Sequence, residues 1–179
     1  MREVAAKEIL EFWFAPGNEP LWFQSSEDFD AAIRERFAGL VEPALAGDLD
    51  DWAETSPGAL ALVLILDQFT RNLFRGSPAA FSGDERARST ARAAIGRGFD
   101  QQRTLRERVF LYIPLGHSED LTDQDEAVRL AATLENERYL AQARSHRDVI
   151  ARFGRFPHRN AVLGRQSTEE ERAFLDGSG

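Results

Sequence analysis

Asp67-Gln68-Phe69-Thr70-Arg71-Asn72-Leu73-Phe74-Arg75-Gly76 follows directly on the most apolar run of the chain, Ala59 to Leu66. It puts an acid, two amides and two arginines where a buried helix would stay apolar. With Asp67 at zero and an advance of about 100° per residue, Arg71 falls near roughly 40°, Arg75 near 80°, Gln68 near 100° and Asn72 near 140°. These five polar groups share one face, and Leu62, Leu66, Phe69 and Leu73 hold the opposite one. Upstream the polar face continues as Leu60, Ala61 and Leu64. The spacing therefore predicts a helix over 57–74 that is buried on both sides in its first half and forms one wall of a cleft in its second.

Outward from this helix the signals remain helical. Ser25-x-x-Asp28, Ser82-x-x-Glu85, Thr122-x-x-Asp125 and Ser167-x-x-Glu170 read as capping boxes, and Ser56-Pro57 as an N-cap with proline at the first helical position. Further helices are expected at about 3–14, 27–46 (kinked or shortened by Pro43), 83–95, 105–113 (ending at Pro114) and 168–175. From Asp123 to Phe153 there is neither Gly nor Pro, and two helices broken near Asn136 are expected there. Short turns between helices point to an all-α protein of stacked antiparallel helical hairpins, about 8–9 helices in a single domain over 1–179. No 34-residue tetratricopeptide period is present in the pattern.

Composition narrows the function. With 179 residues and 42% hydrophobic content the chain can bury a full core. The absence of cysteine removes disulfides, thiolate zinc sites and thiol nucleophiles. There is no signal-peptide h-region and no membrane-length apolar run, so a soluble cytoplasmic protein is expected. A net charge of −8 opposes nucleic-acid binding. Between Arg147 and Arg165, however, five arginines face one acid, Asp148, and this local basic patch suits a small anion or an intramolecular partner.

Three further places carry candidate chemistry. His117-Ser118-Glu119-Asp120 lies in a loop, with His117 a possible general base and Glu119 a group that could orient it. Its bland reading is that Ser118, Glu119 or Asp120 caps the next helix. His158, beside Arg155, Arg159 and Arg165, is the better anion-site histidine, whereas mid-helix His146 reads as packed or solvent-facing. The three histidines share no ligand spacing, so no metal and no cofactor is expected. Lys7 is the sole lysine, so there is no Walker A motif, and no Gly-x-Ser-x-Gly elbow exists. Trp13, Phe14, Trp22 and Phe23 read as core, with a ligand platform as the minor alternative. Arg71-Asn72-x-x-x-Gly76 matches Arg159-Asn160-x-x-x-Gly164, which suggests paired elements facing each other across a groove.

Phe12-Trp13-Phe14, Trp22-Phe23, Leu66 to Asn72, His117 to Asp120, His146-Arg147-Asp148 and Phe153 to Asn160 together resemble the bacterial domain of unknown function 924 family over about 7–175. The resemblance implies an all-α fold similar to tetratricopeptide repeats and brings no established activity. Its motif positions fall on Asp67, Gln68, Arg71, Asn72, His117, Glu119, His146, Arg155, His158, Arg159 and Asn160. Thr70 stands where the family usually has proline and should give a straighter helix; Gly116 stands where methionine is usual and should loosen the loop presenting His117.

Three readings stay open. In the first, a binding module holds a small anion or acidic peptide end in a groove lined by Asp67, Gln68, Arg71, Asn72, Arg75, Arg155, Arg159 and Asn160. The second is an enzyme on an anionic metabolite, with His117, Glu119 and His158 as catalytic candidates. In the third, the polar clusters are structural ion pairs.

Overall fold

A computed structural model describes residues 2–177, with side chains from residue 5 onward, and all regular structure among these residues is helical. The central element is the expected one. α3 (Ser56–Val63) runs through a π-helical segment (Leu64–Phe69) into α4 (Thr70–Leu73) as one continuous helix. Residues 58–66 are buried all round, so this helix needs neighbours on every side. α1 (Arg2–Trp13), α5 (Asp84–Gly96) and α6 (Leu105–Gly116) pack on α3, and α2 (Glu27–Ala46) packs on the π segment and α4. α6 then packs on α7 (Leu121–Ala132), and α7 on α8 (Glu137–Phe153), each across a short turn as a helical hairpin. α9 (Glu169–Gly177) packs on a 3-10 turn, Pro157–Arg159. No helix among the described residues is long and apolar enough to cross a membrane.

The interrupted helix is the main departure from the expected geometry. A π turn bonds i to i+5 and throws backbone carbonyls out of the α ladder. Side chains take them here: the Thr70 hydroxyl donates to the Leu66 carbonyl at 2.8 Å, and Arg71 Nη1 donates to the Asp67 carbonyl at 2.7 Å. Thr70 thus accompanies an irregular helix rather than a straighter one. Pro114 does not end α6, which continues to Gly116, and Pro43 lies inside α2. Asn136 caps α8 as the expected break, accepting from Arg138 and Tyr139 amides.

The caps fall one or two residues away from the expected positions. Ser26 rather than Ser25 caps α2, Thr55 rather than Ser56 caps α3, and Asp120 caps α7. The reciprocal pair at α9 is Thr168 with Glu171, and Gly83 precedes α5 with no side-chain cap. In stretches dense in Ser, Thr and acids, several registers satisfy the same spacing rule, and packing chooses among them. Thr104 with Glu107 forms a second reciprocal capping box at the start of α6.

Trp13, Phe69 and Phe110 meet at the core centre, with Trp13 5.8 Å from Phe69 and 5.4 Å from Phe110 between ring centres. Trp22 packs edge-on against Phe110 at 4.9 Å and lines a cavity.

Candidate functional site

Between the polar end of the central helix and the α6–α7–α8 layer lies a cavity of about 200 Å³. Its polar wall carries Gln68, Arg71, Asn72, Arg75, His117 and His146, while its apolar wall includes Trp22, Phe23, Val109, Leu134 and Tyr139. The polar face read from the helical wheel therefore forms this wall, except for Asp67. That carboxylate sits behind the wall, 1% exposed, and organises it.

Asp67 Oδ1 lies 2.6 Å from His117 Nδ1 and 3.2 Å from Arg71 Nη1, and Oδ2 accepts from the Gln68 amide. Burial alone would raise the Asp67 pKa, but the Arg71 charge and the His117 and Gln68 bonds outweigh it, so the carboxyl stays ionised well below the usual carboxylate range. Burial and the Arg71 charge together push the His117 pKa down against the pull of Asp67. The ring is neutral at pH 7. Its Nδ1–H donates to the carboxylate, which leaves Nε2 as a lone pair with no partner among the described residues. Glu119 does not orient His117: it accepts from both terminal nitrogens of Arg165, at 2.7 and 3.0 Å, and from the Phe156 amide at 2.8 Å. It ties the 117–120 loop to the C-terminal segment instead.

His146, set aside in the sequence as packed or solvent-facing, lines the cavity beside His117. Its Nδ1 donates to the Gly116 carbonyl at 3.2 Å, and the same carbonyl accepts from Gln124 Nε2 at 2.9 Å. Gly116 thus ends α6 as a buried, pinned residue, and the loop presenting His117 is held rather than loose. Burial, then the neighbouring His117, lowers the His146 pKa to about 4. A histidine kept neutral in the fold but free to charge when unfolded stabilises the protein fully above about pH 6.5. That contribution falls away as pH drops through 6.5 toward 4. Stability measured at pH 4.5 and 7 should differ by less in His146→Gln than in the wild type; equal pH dependence in the two would mean that His146 is not kept neutral.

The two polar stretches do meet, at a residue the sequence had not singled out. Asp84 accepts from Arg71 through both oxygens, at 2.8 and 3.0 Å, and its Oδ2 lies 3.7 Å from Arg159 Nη1. Arg71 and Arg159 also lie over the ring of Phe81, at 5.6 and 4.8 Å. The Arg-Asn-x-x-x-Gly match is reflected in the arginines sharing one carboxylate, and Gly76 and Gly164 both take positive φ, 77° and 66°. The asparagines diverge: Asn72 donates to Asp30 at 2.7 Å, and Asn160 to Ser167 and Glu171.

The remaining groove candidates lie elsewhere. Arg155 is held by Glu171 at 2.6 and 2.8 Å, and it and Asn160 dock α9 instead of lining the cavity. His158 is exposed and packs on Phe156, apart from the cavity wall. Arg75 does line the cavity, 48% exposed, in a bidentate pair with Asp30. Asp30 and Asp84 were the missed partners. Both sit in first helical turns, where acids are expected for the helix dipole alone and give no further signal. No group of three or more His, Asp or Glu side chains among the described residues is placed to hold a metal.

The model of a family described as bacterial protein of unknown function (DUF924) matches residues 9–179. A solved structure, that of the protein of unknown function ATU0120 from Agrobacterium tumefaciens, is 41% identical with a TM-score of 0.95, covering 99% of each chain. No curated protein matches the chain. The chain belongs to the DUF924 family.

Proposed function

We propose that this DUF924 member is an enzyme acting on a small molecule in the cavity, with His117 as its acid–base group and Asp67 as the residue that positions it. The observation that carries this reading is the 2.6 Å contact between a fully buried, ionised carboxylate and a cavity-lining imidazole. Such a carboxylate fixes the tautomer, leaves Nε2 basic and stabilises the imidazolium once it forms. Among the described residues no Ser, Thr or Cys lines the cavity, so His117 withdraws a proton from water or from the ligand itself, not from a serine, threonine or cysteine nucleophile. The ligand has an apolar body against Trp22, Phe23 and Val109 and a polar group toward Gln68, Asn72 and Arg75. We place the protein in the cytoplasm, in keeping with its lack of cysteine.

The alternative, a pure anion-binding groove, is favoured by Arg71 and Arg75 on the cavity wall. Both are already neutralised, Arg71 by Asp67 and Asp84 and Arg75 by Asp30, and this weighs toward the acid–base reading. A thermal-shift screen against small metabolites, followed by turnover assays on those that stabilise the protein, tests the proposal. His117→Ala should keep ligand affinity and lose about 10²–10⁴-fold in kcat. Turnover unchanged in His117→Ala, or ligands that bind with no turnover by the wild type, would leave the binding-module reading in its place.

A further inference from the structure

We propose that Arg159 anchors an oxyanion, the carboxylate or phosphate group of a small molecule, taken edge-on by its guanidinium. Arg159 has the most buried side chain of the arginines in the two polar stretches and their ion pairs: 8% exposed, against 21% for Arg71, 24% for Arg165 and 29% for Arg155. Each of those three grips a carboxylate through two hydrogen bonds, although the Arg165 Nε, like that of Arg159, is buried without a partner. Arg159 makes no side-chain hydrogen bond to any described residue, and its Nε–H is buried without a partner. Its one charged contact, Asp84 Oδ2, stands at 3.7 Å, and both oxygens of Asp84 already serve Arg71.

A guanidinium offers five donors in one plane, and a buried donor left unmet is unfavourable. What holds Arg159 is contact with two aromatic rings: its central carbon lies over the Phe156 ring, 4.5 Å from the ring centre, and over that of Phe81, at 4.8 Å. Contact with aromatic rings uses none of its N–H donors, which suits bidentate capture of a carboxylate or phosphate. Asp67 bonds to Arg71 and Glu119 to Arg165, and Asp84, gripped by Arg71 through both oxygens, reaches Arg159 only as an ion pair at 3.7 Å, too long for a hydrogen bond. In charge, Arg71 and Arg159 balance Asp67 and Asp84; the unmet need is directional hydrogen bonding. Arg159 does not line the main cavity, so this site stands independently of the acid–base reading of His117.

The test measures the thermal midpoint of the wild type and Arg159→Gln against sodium acetate and against inorganic phosphate, with sodium chloride at matched ionic strength. At about five times its Kd, an ion bound to the native state should raise the wild-type midpoint by roughly 2–4 °C over chloride. Arg159→Gln should lose that rise. A rise with acetate assigns a carboxylate ligand, and a rise with phosphate alone assigns a phosphate. No rise over chloride with either ion, or an equal rise in both proteins, overturns the proposal. Should Arg159→Gln fail to fold, Arg159→Lys keeps the charge and removes the planar fork. Ion affinity undiminished in Arg159→Lys, by calorimetry, would equally overturn it.

Discussion

Asp67→Ala is expected to lower the unfolding free energy by about 3–5 kcal/mol. The carboxylate is 1% exposed and accepts from three side chains. Removing it strands the buried Gln68 amide and the His117 Nδ1–H, and leaves a void beside the π segment. Arg71 keeps Asp84 and its bond to the residue-67 backbone carbonyl but loses the buried carboxylate beside it. The loss should appear as a lower denaturation midpoint at unchanged m-value. It should also depend on pH with a definite sign. A carboxyl whose folded pKa is depressed stabilises the protein above the ordinary carboxylate range, and that contribution drains as pH falls below it. The gap between wild type and Asp67→Ala therefore narrows in acid. A variant within about 0.5 kcal/mol of wild type at pH 7 would show that the Asp67 network adds nothing to the fold.

The same residue marks how far sequence reading reaches. The apolar run 59–66 and the polar residues after it specified a central helix with a cleft wall, because burial and 3.6-residue periodicity are properties of the sequence itself. The break at Asn136 and the all-helical class were legible for the same reason. The π segment was not. A single shift in hydrogen-bond register leaves no compositional trace, and it turns Asp67 behind the wall while Gln68 and Arg71 stay on it. Partner choice was hidden too. Glu119 lies two residues from His117, yet the imidazole is held by Asp67, fifty positions away in sequence. Chain neighbours on a helix end point in different directions, so only the packing of α6 against the central helix settles which carboxylate reaches the ring. Arg155 and Asn160 show the converse: a basic segment that suggests an anion site can owe its charge to docking a terminal helix through Glu171.

Gly83→Ala is expected to cost about 3 kcal/mol or more, because the position has no room for a methyl group. A Cβ there would lie 2.1 Å from the Leu66 carbonyl oxygen and 2.8 Å from its carbon. Both are backbone atoms of the π segment, so no rotamer change relieves the overlap, and that oxygen also accepts the Thr70 hydroxyl. The Gly83 backbone itself is ordinary, at φ −94° and ψ −5°, so the substitution tests the close approach rather than backbone strain. α5 must move outward, and its first residue is Asp84, the carboxylate shared by Arg71 and Arg159. The substitution should therefore weaken any ligand that depends on those arginines as well as the fold. Gly96→Ala, at the other end of α5 with nothing within 4 Å of its Cβ, is the control. It should be neutral or stabilising by up to about 1 kcal/mol, since alanine restricts the unfolded chain more than glycine does. Equal denaturation midpoints for the two variants would mean that α5 is free to shift at its first turn. The Asp84 link between the two arginines would then be adjustable, and Arg71 would depend on Asp67 alone for its position beside His117.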